Sequence, residues 1–587
     1  MKFFRSISRM LFNLTSSIKR FPLAMIFAIL AAFCMAQTLN YRKVDILFIK
    51  YTRFGALFIA GIFLYSVIAL YVESTKSNVK NEEDKKSNNL FKIILYFLSI
   101  PVMYGIYEII YSKNQGFFAY ENQYIYFGLI ALFVVMASYI AKISYHKDFI
   151  SYVANILESF VVSNVYSIVN FIGISAIIFV IQSLFSIKFE ENIYLKLFYF
   201  TFIPYNVGIF LSGFPKESES YIDYDYPKSI KVLMIYVITP LVIIYTIILF
   251  IYFLKILVNW QIPDGIIVNL VLWYAMFSVF LQFFLGKINT KFIENFKRYY
   301  PFTLLPLLFM MFFSIGIRIN EYGLTENRYF ILAAGIWVFI SEIYYIFYKK
   351  NSNIFIPFIF SVIILFSVIG PISCYRLSER SQINRLTKIL EKNKMINGKN
   401  VLAKENISNK DKDEITSILF YLKAHYERVE IPYLDKNFEI SDEMMKTTFG
   451  FNGEVKHDLE NYHYDNNYGN AIALNIDGYS NLIRNVRYKD TTKVDNYTFN
   501  YTPTTIEIYF TKDGQKLPLK EINLKNLKDK IKTIEEANGI INPEDLSIIG
   551  ENNGVKYKII FNVIDFYDEN DTIDTYVEFD LLTKELD

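Results

Sequence analysis

Up to about Ser373 the chain consists of apolar runs of membrane-spanning length, separated by short polar gaps. A helix needs about 20 apolar residues to cross about 30 Å of hydrocarbon. Inside a bilayer, uninterrupted apolar segments satisfy their backbone hydrogen bonds as helices. Hydrophobic residues make up 53% of the 587 residues and charged residues 20%, which is more apolar than an ordinary soluble protein. We therefore predict a polytopic α-helical membrane protein.

The apolar runs predict about eleven transmembrane helices. The predicted spans are Phe21–Leu39, Phe54–Val72, Leu90–Tyr111, Tyr124–Ile143, Phe160–Phe185, Tyr194–Phe214, Ile230–Val258, Ile266–Leu285, Phe302–Ile319, Tyr329–Tyr348 and Ile354–Ser373. The first span could instead be the core of a signal peptide. Because no convincing cleavage site follows it and many spans come after it, we interpret it as a retained helix.

Beyond Ser373 the composition becomes that of a water-soluble domain. The predicted domains are a multi-span transmembrane helical domain, 1–373, and a soluble α+β domain, 374–587. Helical spacing of apolar residues predicts helices at Ser381–Met395 and Asp413–Arg428. Runs rich in β-branched and aromatic residues, with one helix among them, predict the remaining elements: strands Ala471–Ile476, Thr504–Phe510, Val555–Val563 and Thr575–Phe579, and helix Leu524–Ala537.

The densest group of charges near the membrane lies between the ninth and tenth spans. It comprises Arg318, Glu321, Tyr322, Glu326 and Arg328. Arginine binds carboxylate and phosphate groups in a bidentate manner, so one hypothesis is that these five residues bind an anionic group at the membrane surface. The alternative is a structural polar staple, in which Arg318 pairs with Glu321 and Glu326 pairs with either arginine.

The segment between these two spans has the residues of a tight helical hairpin. Gly323 suits the C-terminal cap of one helix and Thr325 suits the N-cap of the next. The helix beginning near Ser381 follows the exit of the last span, at Gly370-Pro371, within a few residues. We therefore expect the start of the C-terminal domain to rest against this hairpin.

Charges within the spans themselves are few. Lys255 and Glu342 lie near span ends, and an interfacial or structural position is expected for both because span ends tolerate charge. Pro240 is expected to kink the seventh span.

Two groups of residues in the C-terminal domain invite a metal interpretation. The first is His457, Asp458, His463 and Asp465, whose spacing fits no strong metal-binding pattern. The second is Asp565, Asp568, Asp571 and Asp574, where the glycine of a calcium loop is missing. A solvated loop and a hairpin loop are the favoured interpretations, and no metal site is predicted.

Several stretches together resemble a bacterial membrane family known as domain of unknown function 4153. They are Tyr226-Pro227, Tyr236–Tyr245 with Pro240, Pro263 with Gly265, Arg318–Tyr329, Gly370-Pro371 and Ser381–Leu386. The hairpin motif is the specific part of the resemblance. The family implies a multi-pass helical membrane protein with a C-terminal soluble region. It implies no reaction, ligand or catalytic residue.

The sequence contains none of the motifs that would indicate an enzyme with a known chemistry. A nucleophile elbow, a phosphate loop, a dinucleotide fingerprint and a zinc-peptidase motif are missing, so no catalytic residue and no cofactor is predicted. Lysine and arginine are not interleaved with aromatic residues, which gives no support for nucleic-acid binding. A membrane-embedded enzyme acting on lipid-linked substrates would rest on the charged hairpin alone.

The favoured interpretation is a binding, sensing or envelope-associated protein whose partners are the lipid bilayer and an extracytoplasmic ligand or protein. This rests on a sizeable soluble domain, without catalytic motifs, that joins the spans with little room for a linker. The alternative is a transporter or channel for a small solute, because about eleven spans far exceed what an anchor needs.

Loop charges predict the orientation in the cell membrane. With the N-terminus in the cytoplasm, the cytoplasmic loops carry more lysine and arginine than the outer ones, and an odd number of spans places the C-terminal domain outside. We expect a reporter that is active only in the cytoplasm to stay silent when fused after Asp587. Activity of that fusion would show that the span count or the orientation is wrong.

Overall fold

A computed structural model describes residues 15–586 except 42–44, 77–81, 112–119, 144–147, 186, 188, 191, 217–224, 260–264, 349–352, 399, 427–430, 436–437, 439, 453–461, 466–475, 477, 489–491, 503, 513, 537–545 and 570–571. Within the helices and strands, the described side chains exclude those of 76, 82–89, 120, 259, 265–267, 442, 462–465, 532–536, 565–569 and 572–575. The chain divides into two compact units, Met1–Gly453 and Glu454–Asp587.

Most of the first unit is a set of apolar helices. Their bounds are α1 Pro22–Thr38, α2 Ile46–Lys76, α3 Glu82–Tyr111, α4 Tyr120–Tyr139, α5 Phe149–Phe185, α6 Ile193–Phe200, α7 Asn206–Ser212, α8 Lys228–Leu233, α9 Thr239–Asn259, α10 Gly265–Leu285, α11 Lys291–Tyr322, α12 Glu326–Phe347 and α13 Phe355–Val368.

The lengths of these helices agree with the membrane prediction. Among the described residues, nine helical stretches are long and apolar enough to cross a bilayer, and α1 and α13 are shorter apolar helices. This mostly helical architecture is the one expected of a multi-pass membrane protein. The count of about eleven spans remains a prediction.

Two apolar stretches contain a wide, π-helical turn beside a proline. One joins α6 to α7 over Thr201–Tyr205 and includes Pro204, and the other joins α8 to α9 over Met234–Ile238, just before Thr239 and Pro240. Proline has no backbone N–H and cannot continue the normal helical hydrogen-bond pattern, which the wider turn accommodates. The irregularity expected at Pro240 thus takes the form of a π turn.

A helical segment follows the last apolar helix within the same unit. It consists of α14 Cys374–Lys392, a short pair of strands β1 Ile396–Asn397 and β2 Asn400–Val401, α15 Asn409–His425 and α16 Asp442–Phe449. We call this the helical segment. Its buried residues share one hydrophobic cluster, against which Tyr329 and Phe330 of α12 also pack. The helical segment therefore belongs with the apolar helices, and the predicted domain boundary at 373/374 does not coincide with the division between the compact units.

The second unit is built mainly of antiparallel strands with one helix. Its elements are β3 Tyr462–Asp465, β4 Asn481–Arg487, β5 Lys493–Val494, β6 Tyr497–Tyr501, β7 Thr505–Lys512, β8 Gln515–Asn523, α17 Leu524–Glu536, β9 Ile548–Asn552, β10 Val555–Glu569 and β11 Thr572–Glu585. The described strands form one sheet in the order β3-β10-β11-β4, with β9 also pairing with β10, and a second in the order β5-β6-β7-β8.

A single hydrophobic cluster joins the elements of this unit. Phe499 of β6 and Phe579 of β11 meet edge to face, with ring centroids 6.1 Å apart. The Tyr497 hydroxyl donates to Thr583 Oγ1 at 2.8 Å, and Ile531 of α17 is fully buried in the same cluster. The strands predicted at Thr504–Phe510, Val555–Val563 and Thr575–Phe579 and the helix at Leu524–Ala537 are confirmed, whereas 471–475 of the first predicted strand lie outside the described residues.

We expect a fragment comprising Glu454–Asp587 to fold alone, because it carries its own core. Circular dichroism should show strand structure and a cooperative melt. A longer fragment, Asn400–Asp587, is the comparison. It includes α15 without α14, so the buried face of α15 loses its apolar partners and should bind the dye ANS. A disordered spectrum for the shorter fragment would contradict the autonomy of this core.

Candidate functional site

The predicted hairpin between α11 and α12 is a sharp turn that only glycine fits at its centre. α11 ends at Tyr322, and Gly323 has φ +72°, a left-handed conformation that costs glycine little. A Cβ added at Gly323 would lie 2.7 Å from Gln382 Nε2. Thr325 occupies the predicted N-cap position of α12, but its hydroxyl makes no capping hydrogen bond.

The first helix of the helical segment, α14, is clamped to this turn. Gln382 Nε2 donates to the carbonyl oxygens of Tyr322 and Leu324, both at 3.0 Å. The Leu324 N–H donates to Ser381 Oγ at 2.8 Å. These bonds satisfy backbone groups that the end of a helix leaves without internal partners. The expected docking of the segment near Ser381 onto the hairpin is confirmed.

Glu326, the second acidic residue of the hairpin, is buried and is not paired with arginine. It is 4% exposed. It accepts hydrogen bonds from the hydroxyls of Tyr421, at 2.5 Å, and Tyr426, at 2.6 Å, both in or just after α15. His425 Nδ1 lies 3.7 Å from the same carboxylate. The predicted Glu326–arginine pair is therefore wrong.

Two physical reasons explain this choice of partners. Glu326 is the first residue of α12, where the helix dipole and the free N–H groups favour a negative charge. Tyrosine hydroxyls also lose less hydration on burial than a guanidinium ion does, so they are less costly partners inside an apolar cluster. Glu326 consequently joins α12 to α15.

The carboxylate changes the titration of its neighbours. Burial, and after it the hydrogen bond to Glu326, raise the pKa of Tyr421 and of Tyr426 above the usual tyrosine range. Burial, with a contribution from the charge of Glu326, raises the pKa of the Cys374 thiol to about 12. Both phenols therefore remain protonated donors to the carboxylate at neutral pH.

With Glu326 facing the tyrosines, Arg318 and Arg328 of the hairpin form no ion pair with a carboxylate in the described part of the chain. Arg328 Nη1 donates to the carbonyl oxygens of Gly323, at 2.6 Å, and Tyr322, at 3.2 Å. Arg385 of α14 donates to the same Tyr322 oxygen at 3.3 Å. The Cζ atoms of Arg328 and Arg385 lie 5.6 Å and 6.0 Å from the centre of the Tyr322 ring. Arg318 is close enough to repel Arg328 electrostatically.

We call Arg318, Arg328 and Arg385 the arginine cluster. Among the described residues, Glu414, 2.9 Å from Arg385, is the carboxylate that forms an ion pair with it. The predicted Arg318–Glu321 pair is not among the ion pairs that the described residues form, and Glu321 is exposed. The structure thus brings together three of the five predicted residues, Arg318, Tyr322 and Arg328. Arg385 was missed, because 56 residues of intervening chain hide its proximity to Arg328 in the sequence.

The two groups considered as metal sites fall outside the described side chains. This holds for His457, Asp458, His463 and Asp465, and for Asp565, Asp568, Asp571 and Asp574. Within the part of the chain that is described, no group of three or more His, Cys, Asp or Glu side chains is arranged to hold a metal ion.

A second polar region, which the sequence analysis missed, lies inside the helical bundle. Tyr274, Ser278 and Gln282 recur at every fourth residue on one buried face of α10. The hydroxyl of Tyr300, from α11, lies 2.8 Å from that of Tyr274 and 2.7 Å from Ser278 Oγ. Gln282 Nε2 donates to Glu342 Oε1 of α12 at 2.8 Å. The regular four-residue spacing in an otherwise apolar run was the available signal.

Glu342 lies deep in the protein, which leaves the structural one of the two positions expected for it and not the interfacial one. Its exposure is 0%, whereas Lys255 is exposed near the end of α9. The expectation was based on Lys349 and Lys350 being two turns away, and these two residues lie outside the described part of the chain. A fully enclosed carboxyl with an amide partner marks the inside of the bundle as chemically distinctive.

Comparison with known proteins agrees with the hairpin motif. Residues 114–401 match the family described as Domain of unknown function (DUF4153). This part of the chain, just under half of its length, is similar to that family and is referred to below as the DUF4153 region. It includes the hairpin, the polar face of α10 and the whole of α14, so both candidate regions lie within it. The resemblance drawn from the motifs is confirmed. No curated protein and no solved structure matches the chain.

The hydrogen bonds of Glu326 generate a stability prediction for the DUF4153 region. Tyr426→Phe removes one donor and leaves a buried carboxylate oxygen without it, so unfolding free energy should fall by about 1.5–3 kcal/mol. Tyr299→Phe, on an exposed residue of α11, should change it by less than about 0.5 kcal/mol. Denaturation of the detergent-solubilised protein measures both. Equal denaturation curves for Tyr426→Phe and Tyr299→Phe would show that the Glu326–Tyr426 hydrogen bond contributes nothing to stability.

Proposed function

We propose that this protein is a membrane-bound binding and sensing protein that recognises an anionic group at the α11–α12 hairpin. The observation that carries the proposal is the arginine cluster, in which Arg328 and Arg385 lie beside the ring of Tyr322 and Arg318 lies within electrostatic range of Arg328. Three guanidinium groups come from three helices, α11, α12 and α14, while the buried carboxylate of the hairpin faces the other way. Phosphate and carboxylate are the groups that such a cluster binds best.

The charge balance at the hairpin favours an anionic ligand. Arg385 has Glu414 as a partner, whereas Arg318 and Arg328 form no ion pair with any described carboxylate. Like charges held close together raise the free energy of a structure, more so where surrounding apolar helices limit hydration. An anion placed among the guanidinium groups would offset this repulsion and add charge-assisted hydrogen bonds.

The helical origin of the three arginines suggests how binding would be transmitted. Arg318 and Arg328 belong to the membrane helices, and Arg385 belongs to the helical segment. An anion that contacts all three would strengthen the docking that Gln382 and Glu326 already provide. Occupancy of the site would then alter how firmly the helical segment is held, which is the sensing step. Under the predicted topology the recognised group is extracytoplasmic.

Transport of a small solute is the second candidate function. The observation that favours it is the polar face of α10 inside the bundle, which an anchor would not need. The two candidates differ in what happens to the bound molecule. A transporter moves its ligand across a sealed vesicle, whereas a sensor binds it and changes the exchange of backbone amides in the helical segment.

The binding step can be tested with dihexanoyl phosphatidic acid, a soluble lipid with a phosphate group. We expect the full-length protein in neutral detergent to bind it, and Arg318→Gln or Arg328→Gln to weaken binding about tenfold or more. Arg376→Gln is the matched control, because Arg376 is an exposed arginine of α14 that lies 3.6 Å from Glu379. Titration calorimetry at two salt concentrations should show weaker binding at the higher one.

The sensing step needs a separate measurement. Hydrogen exchange of α14 should slow when the phosphate lipid is bound, and should not change in Arg385→Gln even where some binding remains. Unchanged affinity in Arg318→Gln and Arg328→Gln would contradict recognition at the hairpin. Binding without any change in α14 exchange would contradict sensing, and movement of the lipid across vesicles would favour transport.

A further inference from the structure

A cavity of about 390 Å³ lies at the end of α11 and α12 opposite the hairpin. It is enclosed by α10, the start of α11, the end of α12 and the residues just before α13. Residue 298 of α11 lies there, and residue 322 ends the same helix. At 1.5 Å per helical residue, about 36 Å separates them. The cavity is therefore distinct from the arginine cluster.

The inner wall of the cavity offers hydrogen-bond acceptors without donors. Gln282 lines it and is 2% exposed. Because Gln282 Nε2 donates to Glu342 Oε1, its own carbonyl oxygen, Oε1, is left without a partner among the described residues. Glu342 Oε2, behind it, also has none. Leaving buried acceptors unpaired is energetically costly, so a donor is expected to occupy this end.

The mouth of the cavity is lined mainly by positively charged side chains. Lys297 and Arg298 line it together with one acidic side chain, Glu294. Lys297 is half-buried, and its ammonium group donates to the Ile288 carbonyl oxygen at 3.2 Å. The inner wall of the cavity thus carries one unpartnered acceptor, Gln282 Oε1, with the buried Glu342 carboxyl behind it, and its mouth carries two cations and one carboxylate.

The wall between the two ends is largely aromatic. Phe302, Tyr345 and Tyr348 line it. Tyr345 uses its hydroxyl as a donor to the Val279 carbonyl oxygen, at 3.1 Å, so its ring faces the cavity as an apolar surface. Aromatic rings accommodate methylene groups and also attract a cation placed over their faces.

We propose that this cavity binds a small zwitterion, with a primary ammonium group directed at Gln282 and Glu342 and a phosphate or carboxylate group at Lys297 and Arg298. An ammonium group carries three donors, so it can donate to Gln282 Oε1 while its positive charge lies toward the Glu342 carboxyl behind that residue. A quaternary ammonium group carries none and could not satisfy Gln282 Oε1. Ethanolamine phosphate has this chemistry, either as a free molecule or as the headgroup of an aminophospholipid.

The test uses full-length protein purified without aminophospholipid. O-phosphoethanolamine should raise its melting temperature in a saturable manner, and phosphocholine, which lacks N–H donors, should not. Glu342→Gln keeps the size of the side chain but cannot ionise beside a bound ammonium group, and should weaken O-phosphoethanolamine binding about tenfold or more. Ser341→Ala is the matched control, because Ser341 is equally buried but bonds only to its own helix, at Trp337 O. Gln282→Leu provides a second variant if Glu342→Gln does not fold.

A second experiment decides whether the ligand is a free molecule or the headgroup of a lipid. If the site binds a lipid headgroup, the melting temperature should be higher in nanodiscs of phosphatidylethanolamine than in nanodiscs of phosphatidylcholine. Glu342→Gln should abolish this difference. Stabilisation by the soluble compound alone assigns a free zwitterion. Equal responses to the ethanolamine and choline compounds, or unchanged binding in Glu342→Gln or Gln282→Leu, would overturn the proposal. None of these variants alters the arginine cluster, so failure here leaves the hairpin proposal unaffected.

Discussion

A buried carboxylate joins the helical segment to the apolar helices, together with the Gln382 clamp and the shared apolar cluster. Glu326 begins α12 and accepts hydrogen bonds from Tyr421 and Tyr426, which belong to the next layer of the fold. Once a charge is this deeply buried, each of its bonds becomes costly to lose, because the carboxylate cannot regain water locally. The position of α15, and through the shared apolar cluster that of α14 and α16, depends on this contact.

The same contact determines the chemistry of the hairpin surface. A Glu326 that paired with Arg328 would neutralise the turn and leave a structural staple. Because the tyrosines take the carboxylate, the arginine cluster keeps its positive charge beside the exposed ring of Tyr322. The functional hypothesis for the hairpin thus rests on where one acidic side chain points.

Helices α11 and α12 connect the two candidate sites. At one end they carry the arginine cluster, and at the other they line the cavity beside Gln282 and Glu342. A helix is stiff along its axis, so a shift at the cavity could reach the hairpin without passing through loops. Coupling of this kind requires two discrete arrangements of the helix pair, which binding at either end would bias.

The sequence alone determined the features that depend on local pattern. Long apolar runs predicted helices because hydrocarbon leaves the backbone no other partners, and Gly323 marked the turn because other residues resist its left-handed conformation. The helix from Leu524 and the strands at Thr504–Phe510 and Val555–Val563 followed from side-chain periodicity in the same way. Such signals lie within a few residues of the structure they specify.

Only the tertiary structure decided which distant side chains meet. Glu326 is 95 and 100 residues away in sequence from its two tyrosine partners. Gln282 is 60 residues away from Glu342. Pairing rules for neighbouring charges allowed Glu326 to pair with an arginine, yet its burial beside Tyr421 and Tyr426 outweighed them. These energies depend on how the helices pack, and the packing is a property of the whole bundle that no short stretch of sequence contains.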